Sequence, residues 1–299
     1  MQIDPKEIRG FQKKILDWYE TNKRTLPWRE LQFDTILQSR DPYKILLSEV
    51  MSQQTQLSRV IPKYLSWLEA FPTVQDLAKA PVAQVLHYWS GLGYNRRALN
   101  LKKTAEKIVL EYNGVFPQTE KELLQLPGIG LYTARAILCF AFNEQVAVVD
   151  TNVRKVILTQ ILSRHSGERS DSEILQLADS GRAQFARMTD HEIESIAQKL
   201  LPQGKAYEWN QALMDYSAAM LKNEKIPIPK QSKFIGSHRY YRGKVLKLLL
   251  DKKKVSKNKI GELLKEDFSN DDKEWLERLL DELVKERFIV IEKNTVIFA

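Results

Sequence analysis

The segment Leu126-Pro-Gly-Ile-Gly-Leu-Tyr-Thr-Ala134 leaves the backbone fewer choices than any other stretch of the chain. Pro127 and Gly128 cannot continue a helix comfortably, and Gly130 permits a positive φ and a close backbone approach. Tyr132 to Phe140, rich in Ala, Ile and Leu, reads as a helix. A helix, a Gly-rich hairpin and a second helix leave amide N–H groups facing outward where the second helix begins. That is an anion site. A Pro-Gly-x-Gly turn taken by itself is better explained as an ordinary helix connection, so the rest of the chain has to decide.

The balance of charge favours an anion. Lys and Arg number 46 against 38 Asp and Glu, a net charge of +8 over 299 residues, with a pI near 9.3. This suits a nucleic-acid partner, although many soluble proteins are as basic without one. The single cysteine, Cys139, excludes a disulfide framework and any all-cysteine metal or cluster site within the chain. His87, His165, His191 and His238 show no zinc spacing, so no metal is expected. No apolar run approaches the length of a membrane span and the N-terminus is polar. A soluble cytoplasmic protein is expected, with no membrane partner.

Helical periodicity runs through most of the sequence. Residues 5–22 place Ile8, Phe11, Ile15, Leu16, Trp18 and Tyr19 at helical spacing before Leu26-Pro-Trp-Arg29 breaks the pattern. Residues 31–40 look like an irregular insertion. Asp41-Pro42 opens a helix expected to run to about Arg59. Further helices are expected near 61–70, 73–79, 82–89 and 96–112, then 151–163, 172–186, 190–200 and 208–222, bounded by Pro, Gly or Asn. Residues 223–238 read as a linker. Helices near 239–250, 257–266 and 271–287 precede a hairpin at 288–292 and 295–298, which together suggest a winged-helix module. Between Arg239 and Lys259 stand nine basic residues and one acid, Asp251. Such a stripe fits a phosphate backbone and fits a solvated face equally well.

Two carboxylates stand out. Glu49 lies among Ile45, Leu46 and Val50, and a carboxyl on that face would be desolvated, its pKa raised into the range of a general acid. The plainer reading is a glutamate on an exposed helix edge. Asp150 ends the apolar run Val146-Ala-Val-Val149 and precedes Thr151-Asn-Val153, the position of a helix N-cap. Amide hydrogen bonds to a capping Asp would keep its pKa low. One raised and one lowered carboxylate are what cleavage of a glycosidic bond requires.

With these residues in place the chain resembles the helix–hairpin–helix DNA glycosylase superfamily, and within it the A/G-specific adenine DNA glycosylases of the MutY type. The matching segments are Leu26-Pro-Trp-Arg29, Asp41-Pro-Tyr-Lys44, Ser48-Glu-Val-Met-Ser-Gln-Gln-Thr-Gln56, Gly91-Leu-Gly-Tyr94, Leu126 to Thr133, Val149-Asp-Thr-Asn-Val153 and Trp209-Asn-Gln-Ala-Leu-Met-Asp215. They cover about residues 8–222 in family order. The resemblance implies that Glu49 protonates N7 of an adenine turned out of the duplex. It implies that Asp150 stabilises the sugar cation, as a charge or by transient attachment, and that Asn152 helps to hold the site. Tyr132 stands where bifunctional relatives carry a nucleophilic lysine, and a phenol forms no Schiff base, so base excision without strand cleavage is implied. Arg24, Leu26, Trp28, Arg29, Ser52 and Gln211 would line the base pocket. Gln53, Gln54, Thr55, Tyr94, Arg96, Leu126, Gly128, Gly130 and Thr133 would meet DNA, with Gln54 and Tyr94 filling the gap in the stack. A monovalent cation at the hairpin is compatible with the resemblance.

The chain departs from the family in three respects. Where most members bind an iron–sulfur cluster with four cysteines, Leu221 holds the first cysteine position and the others are missing, so the cluster is expected to be absent. The 61 residues from Arg239 to Ala299 are too few for the NUDIX-like domain that reads 8-oxoguanine. Ser52 replaces a commoner apolar residue, and Thr151 replaces glycine. The expected architecture is all-α: a two-lobed glycosylase core with a small C-terminal winged-helix-like domain. Residues 28–140 form the lobe with the hairpin, and 1–27 join 141–225 in the second lobe. Residues 226–238 form the linker and 239–299 the terminal domain. The expected activity is monofunctional hydrolysis of adenine mispaired with 8-oxoguanine or guanine, by a monomer acting on double-stranded DNA. The alternatives are excision of thymine or uracil opposite guanine, and a non-catalytic DNA-binding protein.

Overall fold

A computed structural model describes residues 4–35, 39–162, 188–223 and 233–299. Its helices are α1 (Pro5–Asn22), α2 (Pro42–Ser52), α3 (Leu57–Ala70), α4 (Val74–Lys79), α5 (Val82–Trp89), α6 (Arg96–Glu111), α7 (Glu120–Leu123), α8 (Leu131–Phe140) and α9 (Thr151–Val156). They continue as α10 (Asp190–Leu200), α11 (Ala206–Met220), α12 (His238–Lys252), α13 (Lys257–Leu264) and α14 (Lys273–Lys285), with strands β1 (Lys254–Ser256), β2 (Ile289–Glu292) and β3 (Thr295–Phe298). Local chemistry explains many of the starts. Asp4 caps α1 and Pro5 occupies its first position. Thr73 and Asp76 form a reciprocal capping box at α4, as Thr189 and Glu192 do at α10.

The expected helix from 41 to about 59 is two helices. The chain breaks after Ser52, where Gln54 takes a left-handed φ of 54°. Pro62, a natural breaker by sequence, sits inside α3 instead. The helix expected near 172–186 lies outside the described residues.

The described residues fall into two compact units. One draws on Met1–Leu46, Gln118–Gln125 and Ile129–Pro229, the other on Leu47–Pro117, Leu126–Gly128 and Lys230–Ala299. In the first, the apolar face of α1 packs on α11. Phe11 meets Trp209 edge-on at 5.6 Å and Trp18 meets Tyr216 at 5.3 Å. The buried Asn210 ties an extended segment to α11. Its Oδ1 accepts the Val148 N–H at 2.8 Å, and its Nδ2 donates to the carbonyls of Ala206 and Val146. In the second unit Trp67, Phe71 and Trp89 form an aromatic core, with Trp67 at 5.0 Å from Phe71 and 5.7 Å from Trp89.

The C-terminal segment is winged-helix-like: three helices and an antiparallel sheet in the order β1-β3-β2. The sequence reading missed β1, a three-residue strand pairing Lys254 with Ile297. Three residues carry too little periodicity to be seen. Val245, Leu249, Leu279, Leu280, Leu283 and Val296 form the core of this segment. Its basic stripe is partly neutralised from within. Arg242 pairs with Glu282 and Glu286, and Lys257 with Glu277, whereas Lys252, Lys253 and Lys254 stay exposed. Among the described residues, no helix is long and apolar enough to cross a membrane. None of the described His, Cys, Asp and Glu residues form a group of three or more able to hold a metal ion.

Candidate active site

The hairpin is built from opposite backbone choices at its two glycines. Gly128 takes the left-handed conformation, φ 78°, and a Cβ there would collide with the side-chain Nδ2 of Asn100. Gly130, which could have taken a positive φ, is extended at φ −96° and ψ 177° as the N-cap of α8. Thr104, buried on α6, donates from Oγ1 to the Pro127 carbonyl at 2.9 Å. Asn100 and Thr104 lie one helical turn apart, so a single face of α6 pins the turn. Gly130 offers no side chain to cap α8, whose backbone ladder begins with Ala134 N–H to the Gly130 carbonyl. The amides of Leu131, Tyr132 and Thr133 therefore precede the helical hydrogen-bond ladder. Leu126 and Thr133 are buried, so their side chains belong to the packing. Tyr132 is half-buried at the start of α8.

Asp150 caps α9. Its Oδ1 accepts the Val153 N–H at 2.7 Å and its Oδ2 accepts from Asn152 Nδ2 at 2.8 Å. The expected hydrogen bonds are present, but the expected lowered pKa is not. Burial pushes the Asp150 carboxyl up, and the Val153 amide, the Asn152 contacts and the Arg24 charge only partly offset it. Asp150 is thus a desolvated carboxylate with an arginine nearby. Asn210 fixes Val148, two residues earlier, and so helps to set where the segment delivers Asp150.

Arg24 and Arg29, assigned by sequence to the base pocket, converge on Asp215 of α11. Arg29 forms a two-pronged pair, Nη1 to Oδ2 at 2.7 Å and Nη2 to Oδ1 at 2.8 Å. Arg24 adds its Nε at 2.7 Å and its backbone N–H at 2.9 Å. Burial pushes the Asp215 carboxyl up, but the hydrogen bonds and charges of Arg29 and Arg24 outweigh it and the pKa falls below the usual range. Tyr19 nearby is pushed up to about 12 by burial. Leu26 and Trp28 are buried beside these arginines in sequence, and Gln211 on α11 is 5% exposed. Asp215 and Asn210 were not singled out by sequence. The available signal was a carboxylate among Ala212, Leu213 and Tyr216, all buried, because a buried Asp demands a cationic partner.

In the second unit, Glu49 is half-buried on α2 between the buried Ser48 and Val50. Ser52, Gln53 and Thr55 are half-buried and Gln54 is exposed. Tyr94 is 45% exposed at a left-handed φ of 48° in the loop before α6, with Arg96 exposed beside it. A shallow depression lined by Gln56, Ser58, Arg59, Pro62, Lys63 and Ser66 contains none of the predicted site residues.

The four-cysteine cluster that the resemblance would bring does not fit this chain. Its one cysteine, Cys139, is buried in α8 and receives Asn210 Nδ2 at 3.3 Å. Leu221, at the first cysteine position, is 7% exposed, and its carbonyl accepts from Lys155 Nζ at 3.2 Å.

Comparisons with known proteins point to one superfamily. Residues 47–180 match the HhH-GPD superfamily of base excision DNA repair proteins. The chain is 35% identical over 218 residues to the adenine DNA glycosylase of Mus musculus, covering 73% of this chain and 39% of that protein. It is 39% identical over 207 residues to the adenine DNA glycosylase of Mycobacterium tuberculosis, covering 69% and 60%. The chain thus spans less than two thirds of these relatives. Among solved structures, a thermostable thymine-DNA glycosylase superposes with a TM-score of 0.60 at 28% identity, over 74% of this chain and 90% of that one. An endonuclease III–DNA complex shares the fold, with a TM-score of 0.56 at 19% identity over 75% and 91%. Through residues 47–180 the chain belongs to the HhH-GPD superfamily of base excision DNA repair proteins, beside the adenine DNA glycosylases within it.

Proposed function

We propose that this protein is a monofunctional DNA glycosylase that hydrolyses the N-glycosidic bond of adenine mispaired with 8-oxoguanine or guanine in double-stranded DNA. The observation that carries the reading is Asp150: a desolvated carboxylate, held by the Val153 and Asn152 hydrogen bonds, at the start of α9. A half-buried carboxylate whose burial disfavours its charge is poorly stabilised in the resting protein and well stabilised once a cation develops beside it. Its interaction therefore strengthens as the glycosidic bond breaks and the sugar becomes oxocarbenium-like. Glu49 supplies the proton to adenine N7, turning the leaving base into a neutral molecule. Asn152 keeps the Asp150 oxygen oriented. Arg24 and Arg29, locked by Asp215, shape the base pocket with Leu26, Trp28 and the Gln211 amide. Water completes the hydrolysis. Tyr132 offers no amine at the position where a lyase needs one, so the strand is left intact.

The hairpin amides at the start of α8 bind a phosphate, and a monovalent cation at the hairpin is compatible with this role. The chain works without an iron–sulfur cluster, as a cytoplasmic monomer on DNA. The similarity to a thymine-DNA glycosylase structure makes thymine opposite guanine the competing substrate. Single-turnover excision on duplexes with adenine opposite 8-oxoguanine, adenine opposite guanine, thymine opposite guanine and uracil opposite guanine separates the two. Adenine release that disappears in Glu49→Gln and Asp150→Asn supports the proposal. Thymine release without adenine release refutes it, and equal signals from wild type and both variants would reduce the protein to a DNA-binding factor.

A further inference from the structure

Among the non-glycine residues that the second unit holds in the left-handed region, two lie in loops joined by one side chain. Between α2 and α3 it is Gln54, φ 54°, and before α6 it is Tyr94, φ 48°. Each such residue is strained and persists only where its surroundings hold it. One side chain reaches both loops. Arg97, in the first turn of α6, donates from Nη1 to the carbonyls of Val50 at 2.6 Å and Gln53 at 2.8 Å. Its Nη2 donates to the carbonyls of Leu92 and Gly93, both at 3.2 Å, and to Thr55 Oγ1 at 3.3 Å. The acceptors Gln53 and Gly93 immediately precede the two left-handed residues. The guanidinium also lies over Trp89 at 5.1 Å and near the Tyr94 ring at 5.7 Å.

The chemistry of this contact is unusual for a structural arginine. All the acceptors are neutral, and no carboxylate pairs with Arg97 among the described residues. Burial draws its pKa down to about 10. A charge placed there without a counter-charge is unfavourable unless the five-donor fork is what the site needs. A lysine, with three donors on one nitrogen, cannot span two loops. The bond to Val50 also anchors the last turn of α2, the helix that carries Glu49 and Ser52.

We infer that Arg97 is a positioning residue that presets Gln54 and Tyr94 for insertion into the duplex and couples them to the helix bearing Glu49; this rests on the glycosylase reading above. Arg97 touches neither base nor sugar in this scheme. It removes the conformational search that the two tips would otherwise make after DNA binds.

The test compares wild type, Arg97→Lys and the double variant Arg97→Lys with Gln54→Asn. Asparagine keeps the amide and tolerates the left-handed region better than glutamine. The substrate carries 2-aminopurine next to the mispaired adenine to report unstacking. Arg97→Lys is expected to lower both the unstacking signal and the single-turnover rate by about tenfold. Binding to unmispaired duplex should stay unchanged, since hairpin and lysines are untouched. Hydrogen exchange should rise across 52–56 and 91–95 and not in the Trp67–Trp89 core. Gln54→Asn should recover part of both losses. Wild-type unstacking and excision in Arg97→Lys would overturn the inference while leaving the glycosylase reading intact. So would exchange that rises throughout the unit, which would make Arg97 a general support of the fold. A wild type that excises no base and unstacks no duplex sinks the glycosylase reading itself.

Discussion

Replacing Asp215 by asparagine removes one negative charge from beneath two arginines and keeps the shape of the side chain. The geometry sets the size of the effect. Asp215 is 1% exposed and the Arg29 side chain 8%, so their pair is buried, while Arg24 at 37% is partly solvated. Breaking a buried pair by removing one partner is worth about 3–5 kcal/mol, because a desolvated charge is left unpaired. Asparagine retains one acceptor, and solvent reaches Arg24, so the lower end, about 3 kcal/mol, applies. For a unit of this size that is a fall in Tm of roughly 6–12 °C.

The pH dependence has a definite sign. The Asp215 pKa is depressed in the folded protein, so its contribution is fully present above the unfolded carboxyl pKa of about 4 and is lost as pH falls through the lower folded value. The Tm gap between wild type and Asp215→Asn, followed by circular dichroism from pH 7 to pH 3, should be level down to about pH 5 and narrow below about pH 4. Under the proposed function excision should fall in parallel, because Arg24 and Arg29 lose the carboxylate that fixes both guanidinium groups. A gap under about 1 kcal/mol, the size of an exposed pair, or one that stays constant to pH 3, refutes the account of a buried hub.

Asp150→Asn should behave with the opposite sign. Its raised pKa means that the ionised carboxylate destabilises the fold, so the variant should melt above wild type at neutral pH, converge with it as pH falls toward the unfolded carboxyl pKa, and excise no adenine; thermal melts at pH 7 and pH 4 check this. Gly128→Ala should lower stability by about 1–2 kcal/mol and weaken DNA binding, through its left-handed φ and the Asn100 collision, whereas Gly130→Ala should melt like wild type. Urea titration of the two variants decides whether the hairpin's strain sits at Gly128. Neutralising Lys252, Lys253 and Lys254 should flatten the salt dependence of DNA binding by up to about three units of slope, read from affinities between low and moderate salt. An unchanged slope would make that exposed cluster a solvated face.

Local patterns carried most of the helices. Caps such as Asp4, Thr73 and Thr189, and Pro or Gly punctuation, are short-range chemistry, and α1, α5 and α6 stand close to where periodicity puts them. Asp150 as an N-cap was legible for the same reason, as was the hairpin itself. What failed was whatever depended on surroundings. The break after Ser52 escaped because nothing in Gln53-Gln-Thr-Gln56 forbids a helix, and its left-handed turn is held by Arg97, 43 positions beyond Gln54 in the chain. The direction of the Asp150 pKa shift was misjudged because hydrogen bonds to a cap can be counted from sequence, whereas desolvation cannot. The same limit hid Asp215. The order of residues determined that this chain would carry two carboxylates, a hairpin and no amine at position 132. Tertiary packing alone decided which charges lose their water and which partners reach them, since burial and long-range hydrogen bonds are properties of the folded surface.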